Sequence, residues 1–358
     1  MGIIESIMYY LVIIFASNQF APWIRGILGG LVIGGVFGGA LVMVYLERKF
    51  LGDIQSRVGP NRVGGRFGLL QLIADAIKLF TKEDIIPANA DKWLFVGAPI
   101  VALTSGFLMV AVIPFDYLFI NGNYYAVAVS RMDISILYLE AVSGIAIFGT
   151  FMAGWGSSSK YSVLAGFRNV AKMIGYEVPL GITVISVAVM AHSLDIVEIV
   201  EAQSNLIYEG SNLWYIIAQP LGFIVFLTAL LADVGRIPFD QTEAEEELIA
   251  GWATEYSGMR WGLAFFAEYF HAVVGSFIVA LIFLGGWNGL PIVGNLSIPG
   301  VFWVIGKTII VMMLFILIRG ALPRYRIDQV IDIGWKVLIP LALLNLVWST
   351  IVGYMWAT

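Results

Sequence analysis

Long runs of apolar residues, separated by shorter polar intervals, follow one another along the whole chain. A helix needs roughly 20 mostly apolar residues to cross the hydrocarbon of a bilayer with its backbone satisfied internally. Such runs fall near 27–46, 93–113, 134–153, 174–192, 213–234, 262–284, 300–319 and 337–356. They lack the period-2 alternation of barrel strands. The pattern predicts an all-α polytopic membrane protein with about eight transmembrane helices. Residues 3–17 are apolar but shorter, and Asn18, Gln19 and Pro22 interrupt them. They read as an interfacial or half-buried helix, with a ninth span as the alternative. No cleavable signal is expected, because a basic leading region is absent and Glu5 sits in its place. Residues 67–81 carry a different period. Leu69, Leu72, Ile73, Ala76, Leu79 and Phe80 share one helical face, and Gln71, Asp75, Lys78 and Lys82 much of the other. That predicts an amphipathic helix lying in the membrane interface.

Composition narrows the class. With 59% hydrophobic and 13% charged residues, the chain has too few charges to cover a water-soluble globule. It has no cysteine, which excludes disulfides, iron–sulfur clusters and thiolate zinc sites. Only His192 and His271 could offer imidazole, and nothing places them opposite each other. No metal is expected in this chain, and no nucleic-acid partner. All the Lys and Arg except Arg25, Arg131 and Lys307 fall on one side of the eight-span topology. Arg48 to Lys92 follow span 1, Lys160, Arg168 and Lys172 follow span 3, Arg236 and Arg260 follow span 5, and Arg319 to Lys336 follow span 7. The positive-inside rule puts those loops in the cytoplasm of a cell inner membrane and both termini outside. The chain reads as one membrane domain, 1–358, with a cytoplasmic loop at 47–92 and an acidic cytoplasmic loop at 235–261. The opposite loops read as simple connections.

Four features carry candidate chemistry. Gly30, Gly34 and Gly38, with Gly35 and Gly39 beside them, line one face of span 1 and suit close helix packing. Gly59-Pro60-Asn61-Arg62 and Gly64-Gly65-Arg66 dictate a rigid basic turn. Asp240 and Glu243 have capping-box spacing, so a helix is expected to start there, with Glu243 and Glu247 one turn apart and repelling. If that face is buried, their titrations become coupled. Finally, Glu140, Glu177 and Glu268 lie within apolar runs and Asp233 ends one. An intramembrane acid costs about 2.5–3.5 kcal/mol on insertion scales and is a functional candidate by default. Several facing one acidic loop suggest a chain of protonatable sites. His271 is expected to be packed and hydrogen-bonded.

These residues carry a resemblance. Tyr45–Lys49, Gly59–Gly64, Leu70-Gln71 with Ala74-Asp75, and Lys82-Glu83-Asp84 resemble the first cytoplasmic loop of the H-type membrane subunit of respiratory complex I, the counterpart of mitochondrial NADH dehydrogenase subunit 1. Gly154-Trp155 and Tyr176-Glu177-Val178-Pro179 resemble its third and fourth helices. Pro238-Phe239-Asp240, Glu243-Ala244-Glu245, Glu247-Leu248 and Glu255–Met259 resemble its acidic loop, and Leu322-Pro323-Arg324, Asp328-Gln329 and Gly334–Lys336 its last loop. The chain departs from the common pattern at Lys172, Thr242, Glu246 and Ala253.

The resemblance implies eight transmembrane helices at the heel of an L-shaped complex. It also implies a chamber for a quinone-type carrier (ubiquinone, menaquinone or methanophenazine), opening near the amphipathic helix and completed by peripheral subunits. Glu47, Glu177, Glu243, Glu245, Glu247 and Glu255 match acidic positions thought to couple quinone chemistry to proton movement. Arg48, Arg57, Arg62 and Asp75 are expected at the chamber or its entrance. The implied partners are the peripheral-arm iron–sulfur and quinone-site subunits, the antiporter-like and small membrane subunits, and lipid. The electron donor to such a complex is NADH, reduced coenzyme F420 or ferredoxin. The alternatives are a structural anchor in a membrane-bound hydrogenase-type complex and a standalone proton-coupled transporter. Internal repeats would favour the transporter, and none is evident.

Overall fold

The computed structural model describes residues 22–120, 123–204, 213–242, 244–290 and 299–357. The candidate helix at 3–17 lies outside them. Among the described residues seven helices are long and apolar enough to cross a membrane. They are α1 (Pro22–Ile54), α3 (Lys92–Val110), α4 (Ser135–Gly156), α5 (Lys160–Ala191), α10 (Gly258–Ile282), α11 (Gly300–Ala321) and a composite last helix. The last one runs through α12 (Ile327–Asp332), a π-helical stretch at Ile333–Leu338 and α13 (Ile339–Ala357). Helix α10 is the axis of the bundle. Nearly all its residues from Phe266 to Ile282 are buried, against α1, α3 and α11. The architecture is that of a polytopic helical membrane protein.

The remaining elements are short: α2 (Gln71–Thr81), α6 (Ile196–Ala202), α7 (Tyr215–Ala218), α8 (Pro220–Asp233) and α9 (Glu245–Leu248). Helix α2 is the expected amphipathic helix, beginning at Gln71 rather than 67. None of its residues is buried, and Ile73, Ile77 and Phe80 are exposed. An antiparallel hairpin, β1 (Tyr117–Ile120) and β2 (Asn123–Ala126), pairs Tyr117 with Ala126 and Ile120 with Asn123. It occupies a connection expected to be simple.

Three boundaries differ from the apolar pattern, each for a physical reason. The fifth predicted span is broken. Pro220 has no N–H to continue a helix from α7, and Gln219 leaves helical geometry at φ −131°. The break is covered by side chains. Ser186 Oγ donates to Gln219 Oε1 at 3.2 Å, and Asn345 Nδ2 donates to Ser186 Oγ at 2.7 Å and to Gln219 Oε1 at 3.2 Å. All three residues are fully buried. Second, α5 begins at Lys160, so Lys160, Arg168 and Lys172 lie on a helix and not in a loop. Its first turns are polar in composition yet bury Ala165, Asn169 and Lys172. Third, α1 continues through Glu47, Arg48 and Lys49, so the connection expected from residue 47 starts after Ile54.

Tight helix packing falls on α4 and not on the glycine face of α1. A Cβ at Gly149 would stand 2.8 Å from Ala102, and one at Gly154 2.5 Å from the Ser162 carbonyl. At Gly30, Gly34, Gly35, Gly38 and Gly39 it would meet no described atom within 4 Å. Among the described residues no atom crowds that face.

Candidate functional site: an acid cluster beneath a clamped loop

Four helices bring ionisable side chains to one place inside the bundle. Helix α4 supplies Glu140, α5 supplies Lys172 and Glu177, α8 ends on Asp233, and α10 supplies Glu268 and His271. Lys172, Asp233, Glu268 and His271 line a cavity of about 50 Å³, together with Asn169 and Thr242. A second cavity of about 30 Å³ is lined by Glu140, Asp233 and His271 among mainly apolar neighbours. Asp233, Ser143, Val234 and His271 line both. Small residues make the room. Glu177 Oε1 is buried without a hydrogen-bond partner among the described residues and lies where Gly144 has no side chain, 3.0 Å from the position of a Cβ. Glu140 Oε1 lies by Gly181 in the same way, at 3.6 Å. The wall also holds Trp252, whose buried Nε1 likewise meets no acceptor among the described residues. A polar cavity of this size admits one or two waters, which can link such groups. His271 is satisfied as a packed side chain: Nδ1 donates to the Ala267 carbonyl at 2.9 Å and Nε2 lies 3.1 Å from Ser105 Oγ.

Where these helices end, beside the predicted acidic loop, charges are paired. Buried Glu47 makes an ion pair with Arg319 and lies 3.8 Å from Arg236. The Arg236 guanidinium sits over the Tyr269 ring, 3.8 Å from its centroid. Burial alone would pull the Arg236 pKa down, but Tyr269, Glu47 and Glu268 more than offset it and hold it above the ordinary value. Arg324 donates to Asp240 at 3.1 Å, Gln241 donates to the Tyr325 carbonyl, and the Tyr325 N–H donates to Pro238 at 3.2 Å. The segment 236–241 is thereby clamped to the loop between α11 and α12. Asp240 spends its carboxylate on Arg324 and does not cap a helix, so the expected start at Asp240 is replaced by the single turn α9. Farther along, Tyr256 stacks on Phe95 at 4.1 Å and donates to its carbonyl at 2.9 Å. Burial pushes the Tyr256 phenol up, against a smaller opposing pull from Arg260.

A model of the NADH dehydrogenase family matches residues 28–350. The chain belongs to the NADH dehydrogenase family. It is 57% identical over 338 residues to the H subunit of F(420)H(2) dehydrogenase from Methanosarcina mazei, covering 93% of this chain and 95% of that protein. It is 58% identical over 336 residues to the protein of the same name in Methanosarcina barkeri, covering 93% of this chain and 95% of that one. It is 45% identical over 316 residues to the H subunit of NADH-quinone oxidoreductase from Bacillus thuringiensis, covering 88% and 90%.

Not all the residues expected to work together in this NADH dehydrogenase family chain share one site. Glu177 lies in the acid cluster, and Glu47 in the ion-paired group at its end. Glu247 is exposed and ion-pairs with Arg168. Glu255 is half-buried. Glu243 and the Glu245 side chain lie outside the described residues. Arg48 pairs with Asp75, joining α1 to α2. Arg57 is exposed, its Nε donating to Gln55 at 2.6 Å, and Arg62 is exposed. Among the described residues no group of three His, Asp or Glu is placed to hold a metal ion. Sequence reasoning missed Lys172, Arg236 and Trp252 as parts of the site. The available signal was the stripe Asn169, Lys172, Tyr176, Leu180 and Thr183, whose spacing of three and four continues one buried helix face.

Proposed function

We propose that this chain is the H-type membrane subunit of a complex I-like oxidoreductase that couples reduction of a quinone-type carrier to proton translocation. The observation that carries the reading is the run of acids from the clamped loop down to two small cavities inside the bundle. Reduction of a quinone consumes protons and creates transient negative charge. Beside buried carboxylates in a poorly screened interior, that charge changes their proton affinity. Glu47, Glu243, Glu245, Glu247 and Glu255 pass the change to Glu177 and its neighbours.

The cavities are far below the several hundred Å³ that an organic ligand needs. The carrier's chamber is therefore completed by peripheral iron–sulfur and quinone-site subunits. They dock on the basic turn and on the 47–92 and 235–261 regions, with Arg48, Arg57, Arg62 and Asp75 near the entrance. Antiporter-like and small membrane subunits lie against the remaining helix faces. Those loops face the cytoplasm and both termini lie outside. The higher identity to the F(420)H(2) dehydrogenase relatives than to the NADH-quinone oxidoreductase relative supports reduced F420 as the donor to the complex.

Substituting Glu177→Gln tests the reading in inverted membrane vesicles carrying the assembled complex. Proton uptake per donor oxidised is expected to fall several-fold. Unaltered proton-to-electron stoichiometry and turnover would remove Glu177 from the path, and the same result for Glu140→Gln, Asp233→Asn and Glu268→Gln would leave a structural anchor.

A further inference from the structure

Lys172 is 2% exposed, and it is a cation set among acids. It lines the larger cavity with Asp233, Glu268 and His271. Its Nζ lies beside Gly235, 3.4 Å from where a Cβ would stand, two residues beyond Asp233 in the chain. Gly235 has φ +73°, so the turn that leaves α8 bends around the ammonium. Lys172 and Asp233 come to this one cavity from two helices, α5 and α8, that pack against each other. The titratable groups packed around this point are Glu177 on the same helix, Glu140 on α4, Asp233 on α8, and Glu268 and His271 on α10. Two cations stand near this point: Lys172, which lines the cavity, and Arg236, which follows Gly235 but pairs with Glu47 and sits over the Tyr269 ring.

We infer that Lys172 is a positioning residue for proton movement: its ammonium keeps Asp233 ionised and ready to accept a proton crossing the cavity. The step balances simply. A hydronium ion in the cavity water gives its proton to a carboxylate oxygen of Asp233 and is left as water. While Asp233 is neutral, the ammonium faces an uncharged partner, and return of the proton or its passage to Glu140 restores the pair. This rests on the coupling role proposed above.

The test compares K172Q and K172R with the native chain in vesicles carrying the assembled complex, reading proton uptake per donor oxidised against pH. Losing an adjacent cation favours the protonated form of a carboxylate, by about one pH unit or more. The K172Q profile is expected to move to higher pH by about that amount, and K172R to superimpose on the native profile. A K172Q profile that coincides with the native one overturns the inference. So does a K172R profile displaced as far as K172Q, because shape and not charge would then matter. If K172Q does not assemble, infrared spectra of the native complex and D233N decide. At neutral pH, D233N must remove a carboxylate band, and loss of a protonated carboxyl band instead overturns the inference. A flat K172Q result beside an impaired Glu177→Gln result rejects this inference alone. An unimpaired Glu177→Gln result rejects the coupling reading beneath it.

Discussion

Two lysines are buried among the described residues, and they do opposite things. Lys307, on α11, donates to the carbonyls of Gly286 at 2.8 Å and Asn288 at 2.6 Å, and its ammonium lies 4.6 Å from the Trp214 ring centroid. Its partners are backbone and an aromatic face, none of which titrates, and it lines neither cavity. Lys172 lines a cavity together with Asp233 and Glu268. Burial alone does not make a charged group functional. What decides is whether its partners can change charge and whether water can reach the space between them.

The largest effect that would sharpen this contrast is on stability. Lys307→Met keeps the stem and removes the ammonium, leaving two buried carbonyls without their donor. A loss of about 3 kcal/mol is expected, read as a lower melting temperature of the purified complex. The pH profile of proton uptake should keep its native position; a displacement like that of K172Q would break the comparison. Next comes Glu47→Gln, which leaves buried Arg236 and half-exposed Arg319 without their carboxylate. Because Arg319 can turn to water, about 2 kcal/mol is expected, measured in the same melt. The smallest effect belongs to Arg48→Ala. Its pair with Asp75 has 40% and 24% of the side-chain surfaces exposed, so less than about 1 kcal/mol should be lost. Proteolytic cutting between α1 and α2 would report a larger role.

Much of the fold was legible in the sequence because lipid imposes a strong rule on runs of apolar residues. The spans at α3, α4, α10 and α11, and the amphipathic α2, follow from that rule alone. Where it misled, charge stood on a helix that other helices cover. Lys172 reads as loop when hydropathy is averaged along the chain, yet α4, α8 and α10 enclose it. The break at Gln219 was hidden by the apolar residues on both sides of it, and the residues that cover it come from α5 and α13, far away in sequence. Asp240 illustrates the same limit. Its capping pattern is local, but Arg324, 84 residues on, claims the carboxylate. Of the site, Glu140, Glu177, Asp233 and Glu268 were visible as acids in apolar surroundings. The meeting of Glu140, Asp233 and Glu268 around two adjoining cavities was not, since only packing brings their helices together.

The shortness of α8 has one more consequence. Fourteen residues rise about 21 Å, whereas a bilayer's hydrocarbon is about 30 Å thick. Pinned at its Gln219 end by buried side chains, the helix is too short to cross that thickness by itself. Beyond Asp233 the chain is irregular backbone, which lipid does not tolerate unless protein or water encloses it. Here the enclosure is the protein's own: the turn at Val234 and Gly235 lines the cavity that Asp233 shares with Lys172 and Glu268, so an early helix end is what leaves that polar space inside the bundle.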